Sequence, residues 1–356
     1  RLEELAPETF SGYRSEAGGY AHIVSFAWRN LGCNSLSCLH FANAGLMSLS
    51  VVAIAIGVSF LGSAGLGWSW LLASAFSPWL TLAARNLFWS PWLYYLPAIA
   101  TIAYLLIRHR ALRIVTAALV PLAFFVKFWG SGYREFVTIS VIAASMPVLA
   151  WLFGQSRFGG RRDCLIRVAW VTLSSILGMA SALAVHAYWM SGSILTGLKE
   201  IWEETVLRRT YGDPSNFIRD YEAGLTSNPI FVVWQYIWPA WSTDLFAFSF
   251  DKNGSLFTIA VGPQAFALIL AVAILVPVWR FVARDSLWIQ DAVLVTLAVS
   301  STVLWFFAAK GYAYVHTHLL FFVWYLFTIP VVLFTVGRFV TQQSRRYIFK
   351  NQAHRV

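Results

Sequence analysis

Long apolar runs alternate with short polar connections over most of the chain. A membrane-spanning helix needs roughly 20 apolar residues, and tilt or flanking residues make up the length of shorter runs. The pattern therefore predicts an all-α polytopic membrane protein with about nine transmembrane helices and further helices at the membrane surface. The predicted spans are residues 44–61, 69–84, 91–107, 112–128, 137–153, 168–188, 256–276, 287–308 and 319–336.

A long polar insert, residues 189–255, interrupts this pattern. Apolar residues recur at helical spacing near its start: Leu195, Leu198, Ile201, Trp202 and Val206. Because charged residues lie between them, we expect an amphipathic helix on the membrane surface. The run 229–241 is too short to span and predicts an interfacial helix or a re-entrant segment. We interpret 1–356 as a single transmembrane domain, with residues 1–40 as the first external loop and the insert as an external loop that roofs the site.

Composition favours a membrane protein over any soluble class. Of the 356 residues, 58% are hydrophobic and only 12% are charged, which a soluble domain of this size does not tolerate. The 18 Trp and 14 Tyr suit aromatic belts at the two membrane interfaces. A net charge of +10 is also typical of proteins that bind nucleic acid, but the positions of the basic residues explain it differently.

Basic residues concentrate on one side of the predicted membrane. The segments near 108–113, 157–167 and 280–291 and the tail from 338 hold 14 of the 26 Lys and Arg but only 3 of the 16 acidic residues. Lys and Arg mark the cytoplasmic side, so the charge needs no nucleic acid. Because the connections on the cytoplasmic side are short basic turns, we expect a functional site on the external side. Because residues 1–40 then lie outside, we expect a further span before Arg1.

Three cysteines are present in the chain. Cys33 and Cys38 are close enough in sequence to form a disulfide in an oxidising compartment, and free thiols are the alternative. Cys164 lies just before the sixth predicted span.

Three titratable residues in separate external segments are candidates for chemistry. Glu16 lies among glycines close to His22 and has the character of a general base, the alternative being a solvated loop glutamate. Arg85 ends the second predicted span, where an arginine either binds a lipid phosphate or extends to the interface to stay solvated. Lys127 lies among aromatic residues and is either an interfacial anchor or a phosphate ligand.

A second group of candidates lies in the insert and in the last external turn. Arg208 and Arg209 either form a solvated charge cluster or belong to a lid that meets a phosphate. Lys310 precedes His316 and His318 in the turn. The two histidines could bind a metal ion, form hydrogen bonds to a phosphate or sugar, or be ordinary interfacial residues. On a helix they would point about 200° apart, which disfavours the metal.

The order of these features resembles the GT-C superfamily of integral-membrane glycosyltransferases. An acidic external loop precedes the spans, and a long external loop with interfacial helices follows the sixth predicted span. Three segments are similar to stretches of such proteins: Ser77-Pro-Trp-Leu-Thr-Leu-Ala-Ala-Arg85, Lys127-Phe-Trp-Gly-Ser-Gly-Tyr-Arg-Glu135 and Ala309-Lys-Gly-Tyr-Ala-Tyr-Val-His-Thr-His318.

The resemblance implies transfer of a sugar, with inversion, from a polyprenyl-phosphate donor to an acceptor hydroxyl of a glycan or lipid at the external face. Glu16 would take the place of the family's catalytic base, although Ala17 follows it where a second acid is common. The external cations would stabilise the departing phosphate. Some members need a divalent metal, so a metal stays open as a cofactor although no acidic pair is evident to hold it. A bacterial inner membrane is the expected location.

Two other classes compete with a glycosyltransferase. A non-enzymatic accessory or scaffold subunit would use the same spans to bind membrane lipids and partner chains of a larger complex. A transporter would place ionisable residues at the membrane midplane and show inverted repeats, and the sequence has few of the first and no evident example of the second.

Overall fold

A computed structural model describes residues 18–33, 35–87, 90–154, 158–217, 219–239, 242–252 and 255–353. The fold is almost entirely helical, as predicted. The helices of the first half are α1 Gly19–Asn30, α2 Leu36–Phe60, α3 Ala64–Ala75, α4 Pro78–Ala84, α5 Leu96–Leu106, α6 Arg110–Ser131, α7 Phe136–Gly154 and α8 Arg161–Ser191. The insert and the last part contain α9 Ile194–Ile201, α10 Leu207–Arg209, α11 Arg219–Thr226, α12 Pro229–Ile237, α13 Ala265–Val282, α14 Trp288–Ala308, α15 Lys310–Val315, α16 Thr317–Leu320, α17 Phe322–Tyr325 and α18 Thr328–Ala353.

Six described helices are long and apolar enough to cross a membrane, namely α2, α6, α7, α8, α13 and α14. A seventh span is present if the segments Thr317–Tyr325 and Thr328–Ile348, which meet at 49°, are counted together. The chain is therefore an integral membrane protein. Residues 69–84 and 91–107, two of the nine predicted spans, fold as shorter pieces. The number of nine spans therefore remains a prediction.

Two of the helix breaks have a local cause. Ser77 caps α4 by accepting a hydrogen bond from the Leu80 amide at 3.0 Å, and Pro78 occupies the first turn, so the helix restarts here. The bend before α18 lies next to Pro330. Proline has no amide hydrogen to donate to a carbonyl four residues earlier, and it is tolerated in the first turn of a new helix.

A β-hairpin corrects the predicted span at residues 256–276. Strands β1 Phe246–Lys252 and β2 Ser255–Val261 pair in antiparallel register, and helix α13 begins only at Ala265. The hairpin is anchored to the bundle, because the Ala247 amide donates to the Phe76 carbonyl at 3.1 Å. That carbonyl lies at the break between α3 and α4.

The bundle has two chemically different ends, which we name after the segments found there. At the insert end, the Tyr236 hydroxyl of α12 donates to the Ala313 carbonyl at 2.7 Å, and Tyr133 contacts His186 at 3.0 Å. At the tail end, near the C-terminal half of α18, the Gln290 side chain donates to the Leu152 carbonyl at 2.8 Å. Arg134 also donates to the Tyr312 hydroxyl, so the turns near residues 127–135 and 310–318 lie at the same end as the insert helix α12.

The tail end contains a buried ion-pair network. The sequence had predicted only short basic turns on this side of the membrane. Arg280 and Asp291 are fully buried and pair at 2.7 Å, and Arg280 also pairs with Asp285 at 2.8 Å. Arg338 pairs with Asp291 as well. The network ties α13, α14 and α18 together. Removing one partner of such a pair leaves an uncompensated buried charge, which costs about 3–5 kcal/mol.

The fold decides the open alternative for two of the cysteines and shows how the first insert helix is exposed. Cys33, which precedes α2, forms a disulfide with Cys38 in the first turn of that helix. In α9 and the π-helical turn Trp202–Val206 that follows it, Leu195 and Trp202 are exposed, whereas Ile201 is buried. Exposed apolar side chains beside charged ones fit a helix that lies on a membrane surface.

Candidate functional site

Four basic side chains from three separate segments gather at the insert end. Arg134 precedes α7, Arg208 and Arg209 end the first helical part of the insert, and His316 follows α15. Their convergence is evident from shared contacts, because Arg134, Arg209 and His316 all contact Tyr312, and Arg208 and His316 both contact Tyr221. We call these four residues the cationic cluster.

Close helix packing positions the cluster. Helix α15 packs against α10 and α11, and two glycines allow this approach. A Cβ atom on Gly311 would lie 2.9 Å from the Arg208 carbonyl oxygen, and one on Gly224 would lie 2.8 Å from the Gly311 carbonyl oxygen. Since real Cβ atoms do not approach backbone this closely, the two glycines bring Arg208 and Arg209 to the turn that contains His316.

Tyr312 lies at the centre of the cluster and is buried. Arg134 donates to its hydroxyl at 3.2 Å, and the Arg209 guanidinium lies 5.0 Å from its ring centre. The His316 ring packs against it at 4.4 Å between ring centres. Cation–π contact and hydrogen bonding therefore hold two arginines, both nearly buried, around one tyrosine.

Arg208 contributes a buried hydrogen-bond donor to the cluster. Its guanidinium lies 5.1 Å from the ring centre of Tyr221, and the Tyr221 hydroxyl contacts the His316 Nε2 atom at 3.5 Å. The Arg208 Nε atom is buried and has no hydrogen-bond partner among the described residues. A buried donor without a partner is costly, and an anionic ligand would satisfy it.

His316 is kept neutral by its surroundings. Burial is the main cause that lowers its pKa to about 4, and the neighbouring His318 and the three arginines lower it further. A neutral imidazole can accept or donate a hydrogen bond without adding charge. The cluster thus combines three fixed positive charges with one neutral group, an arrangement suited to an anion with further hydroxyl groups.

The sequence reading did not single out Glu135 and Tyr236 as site residues. Glu135 is fully buried, and its backbone has a φ of 55°, a region that residues other than glycine rarely adopt and that is often found at functional sites. Burial raises the pKa of Tyr236, and the nearby Tyr312 and Glu135 raise it further. The signal in the sequence was a Gly-Ser-Gly stretch, residues 130–132, before an Arg-Glu pair at a span end.

Both predicted lysines are held by backbone carbonyls. Lys127 is fully buried and donates to the carbonyls of Gly132 and Arg134, at 2.9 and 2.5 Å. Lys310 donates to the carbonyls of Leu225 and Ser227, at 2.5 and 3.2 Å. These contacts brace the turns that carry the cluster. The phosphate-binding role predicted for the two lysines stays a prediction.

The remaining predicted site residues lie apart from the cluster or at its edge. Arg85 is exposed beside Ala84, which lines an apolar groove of about 240 Å³ between α2, α3 and α4. His318 is exposed, with its ring centre 6.2 Å from that of His316. Glu16, the predicted base, lies outside the described residues, so its position relative to the cluster stays a prediction.

The structure also bears on the question of a metal. Among the described residues, no group of three or more His, Cys, Asp or Glu side chains could hold a metal ion.

The fold and the cluster together define a class: a polytopic integral membrane protein with a cationic, aromatic-lined site at one end of its bundle. Comparison of the chain with protein-family models, curated proteins and solved structures finds no match.

Proposed function

We propose that this protein is a membrane glycosyltransferase of the GT-C type, which transfers a sugar from a polyprenyl-phosphate donor to an acceptor hydroxyl. The observation that carries the proposal is the convergence of Arg134, Arg208, Arg209 and His316 on Tyr312 and Tyr221. Guanidinium groups are the side chains best suited to bind phosphate, because they donate two parallel hydrogen bonds.

The cluster has the chemistry that a phosphate leaving group requires. Negative charge grows on the phosphate as the bond to the sugar breaks, and positive groups fixed in advance stabilise that charge without reorganising. Arg208 would bind the phosphate through its buried Nε atom, and Arg209 and Arg134 would add charge from their positions on Tyr312. His316 would hydrogen bond to the phosphate or the sugar.

The proposal assigns the proton transfer to a carboxylate in the first external loop. Glu16 would remove the proton of the acceptor hydroxyl as it attacks the anomeric carbon, while the carbon–oxygen bond to the phosphate breaks and the electron pair leaves with the phosphate. Because the phosphate is a stable anion, no acid is needed to protonate it. In this proposal the insert end faces outward from a bacterial inner membrane.

A binding and transfer experiment tests this proposal. Binding of a long-chain polyprenyl monophosphate to the purified full chain in detergent is measured for the wild type, Arg208→Gln and the control Lys199→Gln. Lys199 lies in the same insert and its side chain is 75% exposed, so the control removes the same charge away from the cluster. We expect Arg208→Gln to weaken binding about tenfold or more, because a charge-assisted hydrogen bond is lost, and Lys199→Gln to leave it unchanged.

An assay of sugar transfer distinguishes an enzyme from an accessory subunit. With a polyprenyl-phosphate-linked sugar as donor, Glu16→Gln is expected to abolish sugar release while polyprenyl monophosphate still binds. If the wild type does not bind the lipid phosphate, or if Lys199→Gln weakens binding as much as Arg208→Gln, the proposed site is wrong. If the wild type binds polyprenyl monophosphate but no preparation transfers sugar, the accessory subunit would be favoured.

A further inference from the structure

A small, partly open pocket at the tail end is lined by three arginines. Arg108 and Arg113 come from the turn between α5 and α6, and Arg167 comes from the second turn of α8. Tyr104 and Phe158 complete the polar and aromatic walls, together with apolar residues at the end of α5. The pocket has a volume of about 200 Å³. One water needs roughly 10–15 Å³ on this measure, so a much larger group fits.

These arginines lack acidic partners in the part of the chain that the structure describes. Arg167 donates to the Phe158 carbonyl at 2.8 Å, which fixes one guanidinium at the pocket wall. The acidic side chains of the tail end have other partners. Asp163 accepts from the Gly160 amide at 3.2 Å, and Asp285 and Asp291 belong to the buried network around Arg280.

The charge and the position of the pocket indicate what would occupy it. Three like charges that line one small space repel each other, and a bound anion removes that repulsion. The pocket lies where α5 ends and α6 and α8 begin, which is the depth of lipid headgroups if these helices are embedded in a bilayer. Basic pockets between transmembrane helices are a known means of holding anionic headgroups.

We propose that this pocket binds the phosphate group of an anionic membrane lipid. The phosphate would lie among Arg108, Arg113 and Arg167, with the glycerol end toward the apolar wall formed by α5. The site is distinct from the cationic cluster, which lies at the opposite end of the bundle, and the inference does not depend on the proposed glycosyltransferase activity.

The test compares two charge-matched double variants of the full chain, purified and delipidated in detergent. Arg108→Gln with Arg113→Gln removes two exposed pocket arginines whose side chains form no hydrogen bond or ion pair with another described residue. Arg161→Gln with Arg162→Gln removes two exposed arginines at the start of α8, outside the pocket. Calorimetry then measures binding of short-chain phosphatidic acid, short-chain phosphatidylcholine and inorganic phosphate to each protein.

We expect the wild type to bind phosphatidic acid in preference to phosphatidylcholine. The pocket variant should bind phosphatidic acid about tenfold more weakly or worse, because charge-assisted hydrogen bonds to phosphate are lost, while the control variant binds as the wild type does. Equal losses in both variants would mean diffuse surface charge and overturn the site. Equal affinity for inorganic phosphate would overturn the lipid as the occupant, and no binding would overturn the proposal altogether.

Discussion

His316 shows most clearly how one residue reports on its surroundings. An isolated histidine is partly protonated near neutral pH, whereas burial and three nearby arginines lower the pKa of His316 to about 4. The fold thus holds a neutral ring among fixed positive charges. That arrangement lowers the stability of the folded chain in acid, because the surroundings oppose protonation of the ring in the folded chain but not in the unfolded one.

The first prediction concerns stability in acid. Between pH 6.5 and 4 the unfolded chain takes up a proton at His316 that the folded chain does not, so the free energy of unfolding falls as the pH falls through this window and then levels off. The ring is partly exposed, and after allowance for solvent screening we expect a loss of about 1–2 kcal/mol. Thermal unfolding in detergent at a series of pH values measures it.

The variant His316→Asn should lose less stability over the same pH window. His109→Asn serves as the control, since His109 is an exposed histidine at the tail end. The contribution of His316 is the difference between the wild type and His316→Asn, which removes the effect of other titrating groups. Parallel curves for the wild type and His316→Asn would contradict the environment described for the ring.

Residue types alone did not show what each predicted external cation contacts. The sequence predicted Lys127, Lys310, Arg208 and Arg209 as equivalent external cations. The fold distinguishes them, because both ammonium groups donate to backbone carbonyls of nearby turns. That distinction depends on which carbonyls the turns bring within reach, and no spacing in the sequence encodes it.

At the scale of elements, the site depends on how closely α11 and α15 cross. Gly224 and Gly311 face each other at this crossing, and the cationic cluster is built from the segments on either side of it. A side chain at either position would separate the helices and move Arg208 away from His316. Glycine is needed here for close approach, since neither residue has a positive φ.

The second prediction is that Gly224→Ala destabilises the protein. The new methyl group would lie 2.8 Å from the Gly311 carbonyl oxygen and 3.1 Å from its Cα atom, both part of the backbone. Overpacking of this kind costs about 1–3 kcal/mol, which is expected as a lower midpoint of thermal unfolding in detergent. Gly337→Ala is the matched control, because a methyl group there meets no atom within 4 Å.

Both substitutions gain the same helix propensity, so their difference isolates the steric effect. If Gly224→Ala is as stable as Gly337→Ala, the two helices do not cross as closely as described. Weakened binding of polyprenyl monophosphate by Gly224→Ala alone would link the crossing to the cluster.

Hydropathy predicted the long helices well and the hairpin badly. Helices α6, α7 and α14 cover the spans predicted for them, because a bilayer demands a continuous apolar run whatever the tertiary contacts are. Residues 256–261 are equally apolar and were merged with the span that follows. The alternation of Phe246, Phe248 and Phe250 and the Asn-Gly pair at 253–254 were the missed signals of a hairpin.

At the scale of the whole molecule, charge divides the two ends. Nearly all the basic excess of the sequence lies in segments that the fold gathers at the tail end, including Arg108, Arg113 and Arg161. The disulfide joins Cys33 to Cys38 at the start of α2, and that helix starts at the insert end. Basic residues favour the cytoplasm and disulfides favour oxidising compartments, so the two observations agree on one orientation.

The third prediction is therefore that the insert end faces outward. Asn216→Cys places a thiol at an exposed position of the insert, and Ser344→Cys places one at an exposed position of the tail end. The native cysteines leave little background for labelling, because Cys33 and Cys38 are joined and Cys164 is buried. A membrane-impermeant maleimide added to intact cells should label Asn216→Cys and should reach Ser344→Cys only after lysis.

The reversed pattern would place the cationic cluster in the cytoplasm, where a donor facing the outside could not reach it. The proposed reaction would then fail on topology alone, whereas the fold and the packing at Gly224 would be unaffected. Labelling of both positions in intact cells would indicate leaky cells, which a cytoplasmic marker protein measured in the same samples detects. Orientation is thus the property of the whole chain on which the proposed chemistry depends, and it can be measured without knowing the sugar or the acceptor.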